Sequence, residues 1–167
     1  MDNMLKQLTE KKTNQRQRQL QVDIGSILHS VVKQRCQGFL PLPMVDCEPS
    51  LLVQIDADKF ANVMYHLISN AQQATKDIGT VVINASRLNE NGKDYIVVKV
   101  TDTGEGMSAE FIETRLFTPF DTTKGNAGMG IGAYDAKNYI EEIGGMISVD
   151  SEINQGTVFT LSMPVTE

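Results

Sequence analysis

A helical pattern between positions 56 and 75 constrains the fold of this chain more than any other feature of the sequence. Seven apolar residues recur there at the spacing of one helix face, namely Phe60, Val63, Met64, Leu67, Ile68, Ala71 and Ala74. Asp56 or Asp58 can cap the start of this helix, and Gly79 lies just past its predicted end. A helix with one apolar face must pack on a second layer of structure.

That second layer is predicted to be a sheet. Residues 80–88 and 94–102 have strand patterns and are joined by an Asn-Glu-Asn-Gly turn. The other predicted elements are helices over 22–36, 109–114 and 130–143, short extended segments over 44–47 and 51–55, and strands over 146–151 and 157–163. We therefore expect the α+β class: a two-layer α/β sandwich whose mixed, mostly antiparallel sheet is covered on one face by helices.

The chain has 167 residues, enough for one domain with a sizeable core. We expect a polar lead-in over 1–20, either a frayed helix end or a disordered segment, and a folded domain over 21–167. A formal net charge of −6 argues against nucleic-acid binding. It leaves a phosphate ligand open, because helix N-termini and glycine-loop amides bind anions without net positive charge.

Cysteine usage and hydropathy point to the cytoplasm. Cys36 and Cys47 stand alone and are predicted to be free thiols, although a disulfide stays open. No apolar run approaches the roughly 20 residues of a membrane span, and the first residues do not have the pattern of a signal peptide. We expect no membrane contact by this chain, with an inner-membrane anchor elsewhere in a longer parent protein left open.

Polar residues border the apolar face of the predicted helix over 56–75. His66 and Asn70 lie one turn apart at its edge, and Gln73 continues the stripe. Such a stripe borders a pocket or forms a solvated helix flank, and the residues alone favour the flank.

The string Asp102-Thr-Gly-Glu-Gly-Met107 follows a buried strand. Asp102 keeps the parity of Val98 and Val100, so the strand turns its carboxylate inward. A buried carboxylate needs hydrogen-bond donors, and the amino group of adenine is a suitable one. Gly104 and Gly106 would let the backbone approach a flat base. Taken alone, the string favours a simple turn over a base pocket, since Asp and Gly favour turns.

A third string runs from Phe117-Thr-Pro-Phe120 through Asp-Thr-Thr-Lys124 to Gly128-Met-Gly-Ile-Gly132. Its alternate glycines enter a predicted helix, which offers free amides and a positive helix end to phosphates. It matches neither a P-loop nor a dinucleotide fingerprint in a parallel βαβ unit. A flexible glycine-rich loop is the alternative.

Five strings of the sequence, taken in order, resemble the motifs of the GHKL ATPase superfamily, with its Bergerat-type ATP site, and most of all those of sensor histidine kinases. They are H-L-I-S-N-A, D-T-G-E-G-M, F-T-P-F, T-T-K-G-N-A-G-M-G-I-G and G-T-V-F-T-L-S-M-P. The resemblance covers about residues 22–165. The string TPFDTTKGNAGMGIGAY is similar to a subset of bacterial kinases associated with the PEP-CTERM protein-sorting system. The resemblance implies a domain that binds Mg-ATP and donates the γ-phosphoryl to a histidine on a separate dimerisation domain. A response regulator would act downstream.

The resemblance also implies roles for individual residues. Asn70 would coordinate the Mg²⁺ that bridges the ATP phosphates. Asp102 would bind the adenine amino group, with Gly104 and Gly106 shaping the base pocket and Met107 packing near it. Thr157 would reach the same carboxylate directly or through water.

A lid over the phosphates is implied for the loop that follows. It would have aromatic anchors at its base, hinge glycines that present amides, and two polar residues that close over the terminal phosphate. These are, in that order, Phe117 and Phe120; Gly128, Gly130 and Gly132; and Thr123 and Lys124. The expected catalytic set is His66, Asn70 and Lys124.

Position 66 separates this chain from the hydrolytic members of the superfamily, which resemble one another in carrying a water-activating Glu four residues before the metal-binding Asn. With His66 there, hydrolysis should be slow, and the histidine is left as a base, an orienting group or a hydrogen-bonded residue at the pocket edge. Gln73 and Ala74 depart from the basic residue and aromatic of many sensor kinases.

The chain has no phosphoacceptor motif of the H-[ED]-x-x-[NT]-P type, and His29 belongs to an amphipathic helix. We expect the chain to bind ATP without labelling itself. A nucleotide-sensing module without phosphotransfer and another type of GHKL ATPase remain the alternatives.

Overall fold

A computed structural model describes residues 21–118 and 129–165, with the backbone alone for 129–132. The predicted lead-in over 1–20 lies outside this part. The elements are β1 (Gln21–Asp23), α1 (Ile24–Arg35), β2 (Met44–Cys47), β3 (Leu52–Gln54), α2 (Ala57–Ala74), β4 (Val81–Glu90), β5 (Lys93–Asp102), α3 (Ala109–Phe111) with a π-helical turn (Ile112–Leu116), α4 (Met129–Glu142), β6 (Met146–Glu152) and β7 (Gly156–Pro164).

The main sheet has five strands in the order β2-β4-β5-β7-β6. Only the β2–β4 pair is parallel; the other pairs are antiparallel. Helix α2 contacts both α1 and α4 in the helical layer, and alternate residues of β5 are fully buried beneath it. The predicted α+β sandwich with a mixed, mostly antiparallel sheet is confirmed. Strands β1 and β3 form a separate two-stranded ribbon that the sequence pattern did not predict.

Helix α2 begins where the sequence predicts and ends earlier. The Asp56 carboxylate accepts hydrogen bonds from the amides of Asp58 and Lys59, at 3.0 and 3.1 Å. The predicted apolar face is buried except at Ala74, which is half-buried. The expectation that Gly79 lies just past the helix end was wrong, because Thr75 is already extended and its hydroxyl binds the last-turn carbonyl of Ala71 at 2.7 Å.

A side chain of α2 also holds the segment that follows α1. The Gln72 amide nitrogen lies 3.0, 3.0 and 3.2 Å from the carbonyl oxygens of Cys36, Phe39 and Pro41, so its two N–H groups are shared among three acceptors. Gln72 is 4% exposed, so all three bonds lie in the interior or at its edge. This segment leads into β2, the strand at one edge of the main sheet.

The β4–β5 hairpin determines which residues lie side by side at one end of the sheet. Its two-residue turn, Asn91-Gly92, has φ values of 54° and 81°, which is the backbone geometry favoured in tight hairpins. The register pairs Asp102 with Val81 on one side and with Thr157 of β7 on the other. Asp102 and Thr157 therefore lie side by side at one end of the sheet.

The buried side of α4 and the state of the two cysteines agree with the sequence pattern. Ala133, Ala136 and Ile140 of α4 are buried, and Gly144 ends that region with a φ of +85°. Cys36 and Cys47 are free thiols, as predicted. Among the described residues, no helix has the length and apolar character needed to cross a membrane.

Candidate functional site

A cavity of about 430 Å³ lies between the C-terminal half of α2, the end of β5 and the β6–β7 turn. Its apolar lining comes from Met107, Phe111, Leu116, Ile153 and Phe159. Its polar groups include Asn70, Asp102 and Thr157. A mainly apolar cavity with a few converging polar groups is the usual form of a small-molecule site.

Asp102 is the buried charge of this cavity. The residue is 5% exposed, and its carboxylate accepts hydrogen bonds from the amide of Gly104, at 2.9 Å, and from the backbone amide of Thr157. Burial raises the pKa of this carboxyl, and the two amides only partly oppose the rise. The parity of β5 thus delivers Asp102 inward, as the sequence predicted.

The glycines after Asp102 have a structural role that sequence reasoning missed. A Cβ on Gly104 would collide with the carbonyl of Ala74, and one on Gly106 would collide with the carbonyl of Glu152. Gly106 also has a φ of +69°, which favours glycine. Backbone packing of this loop on α2 and on the β6–β7 turn therefore requires both glycines. Gly106 lines the cavity, whereas Gly104 lines a neighbouring groove behind it.

Hydrogen bonds join the same loop to the β6–β7 hairpin. The amide of Met107 donates to Ser151 Oγ at 2.7 Å, and the amide of Asn154 donates to the carbonyl of Glu105 at 2.8 Å. Ser151 Oγ lies 2.9 Å from the Gly156 carbonyl and 2.8 Å from Thr157 Oγ1. The Thr157 hydroxyl is thus bonded to Ser151, while Thr157 binds Asp102 through its backbone.

Asn70 and His66 line different cavities, although they lie one turn apart on α2. Asn70 is 8% exposed and lines the cavity that contains Asp102. His66 is half-buried, with its ring 5.6 Å from that of Tyr65, and lines a polar groove with Asp135 and Asn138 of α4. The structure therefore brings Asn70, but not His66, beside Asp102.

Most of the predicted lid lies outside the described residues. This applies to Phe120, Thr123, Lys124 and Gly128. The backbones of Gly130 and Gly132 belong to the start of α4, so the alternate glycines do run into a helix as predicted. Phe117 is half-buried, and the Lys137 ammonium lies 5.0 Å from the centre of its ring.

Several cavity residues were not predicted. Phe111, Leu116, Ile153 and Phe159 supply much of its apolar wall, and Ser151 supports it from β6. Their apolar or small side chains gave no sequence pattern that distinguishes a cavity wall from a core. Only the pairing of Ser151 with Thr157 across β6 and β7 reveals the connection, and that needs the strand register.

Comparison with known proteins gives this arrangement a context. Residues 55–167 match the family described as histidine kinase-, DNA gyrase B- and HSP90-like ATPases. The chain is 38% identical over 113 residues to the sensor histidine kinase ZraS of Salmonella typhi, and 31% identical over 118 residues to sporulation kinase D of Bacillus subtilis. These matches cover 68% and 71% of this chain, but only 23% and 22% of those relatives.

A solved structure agrees with the sequence comparison. The catalytic domain of histidine kinase ThkA aligns with a TM-score of 0.72 at 25% identity, covering 87% of this chain and 95% of that domain. The chain is therefore similar in extent to that catalytic domain. It spans less than a quarter of the length of each of the two kinases named above.

Proposed function

The chain belongs to the family of histidine kinase-, DNA gyrase B- and HSP90-like ATPases, and from that premise we propose that the cavity at Asp102 binds the adenine of ATP. The observation that carries the proposal is a carboxylate 5% exposed at the base of an apolar cavity. Asp102 receives two backbone amides and still faces the cavity as an acceptor. The amino group of adenine supplies a donor, and the apolar walls accommodate its flat ring.

Asn70 would hold a Mg²⁺ ion, which would neutralise negative charge on the ATP phosphates. Its amide oxygen is a neutral, hard ligand of the kind magnesium accepts, and its side chain lines the cavity. Across residues 21–118 and 129–165, no group of three His, Cys, Asp or Glu side chains is arranged to hold a metal alone. This composition fits a metal bound mainly by phosphate and water, with Asn70 as the protein ligand.

The proposed reaction is phosphoryl transfer to a histidine on a separate dimerisation domain. Asp102 and Asn70 would fix the two ends of ATP, so that the γ-phosphoryl is presented in line to an incoming imidazole nitrogen. The bond between the γ-phosphorus and the bridging oxygen breaks as the nitrogen–phosphorus bond forms, and ADP leaves. A response regulator would then accept the phosphoryl group. His66 occupies the position of the hydrolytic Glu but lines a different groove from Asp102 and Asn70, which supports slow hydrolysis.

The proposal extends to the division of the chain. Residues 21–167 would be the catalytic domain, with 1–20 leading from the dimerisation domain. Gly128, Gly130 and Gly132 would hinge a lid that brings Thr123 and Lys124 to the terminal phosphate, with Phe117 and Phe120 at its base. Membership of the PEP-CTERM-associated subset stays a prediction from the lid string.

Titration with a fluorescent ATP analogue, with and without Mg²⁺, tests this proposal. Asp102→Asn should lower the affinity about tenfold or more, because hydrogen bonds to a charged group contribute ~1.5–3 kcal/mol. Asn70→Ala should remove the Mg²⁺ dependence of binding.

Two matched variants serve as controls. Asp150→Asn changes an exposed carboxylate of β6, and Asn62→Ala changes an exposed amide two turns before Asn70 on α2. Both should bind the analogue as the wild-type chain does. Wild-type binding by Asp102→Asn and Asn70→Ala would refute the assignment of the site.

A further inference from the structure

Ser151 is a small residue of β6 whose hydroxyl lies behind the cavity. It contacts three groups at hydrogen-bond distance: the Met107 amide at 2.7 Å, the Gly156 carbonyl at 2.9 Å and Thr157 Oγ1 at 2.8 Å. Neither the family resemblance nor the cavity lining assigns it a role. Its partners are the loop that follows Asp102 and the residue paired with Asp102 on β7.

If all three contacts are hydrogen bonds at the same time, the chemistry of the partners fixes where each proton lies. A serine hydroxyl has one proton to donate and two lone pairs with which to accept. The Met107 amide can only donate, so it uses one lone pair of Ser151. The Gly156 carbonyl can only accept, so it takes the single Ser151 proton. The remaining contact is satisfied only when the Thr157 hydroxyl donates its own proton to Ser151.

This arrangement leaves the Thr157 oxygen as an acceptor only. Thr157 lines the cavity beside Asp102, and both residues are 5% exposed. Any hydrogen bond that Thr157 Oγ1 makes to a ligand or bound water must therefore come from a donor on that group. The end of the cavity formed by Asp102 and Thr157 consequently presents acceptors and no hydroxyl donor.

We infer that Ser151 is a positioning residue that sets base selectivity by holding the Thr157 hydroxyl in its accepting orientation. The inference rests on the proposed function and concerns which purine the cavity takes. An amino group at the purine 6-position can donate hydrogen bonds to both Asp102 and Thr157 Oγ1. A carbonyl oxygen at that position has no hydrogen to donate and would face these two acceptors unpaired. Sites built around buried polar groups reject ligands that leave those groups unpaired. Ser151 thus makes the Thr157 side chain, like that of Asp102, select for an amino group on the base.

The test compares ATP with inosine triphosphate, which carries a carbonyl oxygen in place of the amino group. Dissociation constants are measured by calorimetry for the wild-type chain, Ser151→Ala and Ser151→Thr. In Ser151→Ala the Thr157 hydroxyl is freed to rotate and donate into the cavity. We expect the preference for ATP over inosine triphosphate to fall about tenfold, about the value of one net hydrogen bond. Ser151→Thr, which restores a hydroxyl, should retain the wild-type ratio.

A double-mutant cycle separates this role from simple support of the loop. In a Thr157→Val background the hydroxyl is absent, so adding Ser151→Ala should leave the ratio of the two dissociation constants unchanged. If Ser151→Ala only loosened the loop, it would weaken the binding of both nucleotides equally. The same loss of affinity would then appear in the Thr157→Val background. Should Ser151→Ala fail to fold, Ser151→Cys carries the same comparison with weaker hydrogen bonds.

The outcomes are distinguishable. An unchanged ratio in Ser151→Ala, or an equal loss for both nucleotides, overturns the role of Ser151 while ATP binding stands. A wild-type chain that binds neither nucleotide overturns the proposed function, and this inference with it.

Discussion

The burial of Asp102 has consequences that can be measured without a ligand. Its carboxyl pKa is raised by desolvation, which outweighs the hydrogen bonds from the amides of Gly104 and Thr157. The folded chain therefore binds a proton at this position more tightly than the unfolded chain does. Between the unfolded and folded pKa values, this carboxyl makes the free energy of unfolding decrease as the pH rises.

The pH dependence of thermal unfolding tests this. Without nucleotide, raising the pH from about 4 to 7 should cost the wild-type chain stability relative to Asp102→Asn, which has no proton to lose. The exposed carboxylate variant Asp150→Asn should follow the wild-type profile. If the wild-type and Asp102→Asn profiles run parallel, Asp102 does not have the raised pKa.

Strand parity alone was enough to predict the inward direction of Asp102, since alternate residues of a half-buried strand face the same side. The reason for the glycines after it was not predictable. Gly104 and Gly106 face the carbonyls of Ala74 and Glu152, which are 30 and 46 positions away in the chain. Only the folded structure shows which distant backbone approaches each glycine.

Among the elements, helix α2 joins the site to the rest of the fold. One flank carries Asn70 at the cavity, and the other carries Gln72, whose amide holds three carbonyls of the segment after α1. Periodicity predicted the apolar face of this helix. It did not predict Gln72, because a polar residue beside an apolar face is equally compatible with a solvated flank.

Replacing Gln72 should destabilise the fold. Gln72→Ala leaves three carbonyls without this donor, and an unsatisfied buried polar group costs about 1–3 kcal/mol. We expect the free energy of unfolding to drop by at least about 1 kcal/mol in urea denaturation. Gln73→Ala, at the exposed neighbouring position, should change it by less than about 0.5 kcal/mol. Equal effects of the two substitutions would contradict the role given to Gln72.

Whether the other elements could be predicted depends on how far apart in the chain their interacting residues lie. The β4–β5 hairpin was predictable because its Asn91-Gly92 turn and its alternating strands are local. The β1–β3 ribbon was not, because it pairs Gln21 with Gln54 across an intervening helix and strand. The cavity wall at Ile153 and Phe159 depends in the same way on how β7 pairs with β5 and β6.

At the scale of the whole molecule, the chain covers nearly all of the catalytic domain of ThkA. It covers less than a quarter of the length of each of the two kinase relatives. Its only histidines are His29 and His66. His29 is exposed on α1, and His66 lies in the groove between α2 and α4. Neither lies in a phosphoacceptor motif of the H-[ED]-x-x-[NT]-P type.

The measurement that tests the central claim most directly is an amide NMR titration of the chain with Mg-ADP. We expect the largest shifts at Asp102, Gly106, Met107 and Thr157, with little change at the exposed face of α1 around His29. At a ligand concentration near the wild-type Kd, these shifts should be several-fold smaller in Asp102→Asn. Shifts that cluster away from this cavity, or that are as large in Asp102→Asn as in the wild-type chain, would contradict the assignment of the adenine site.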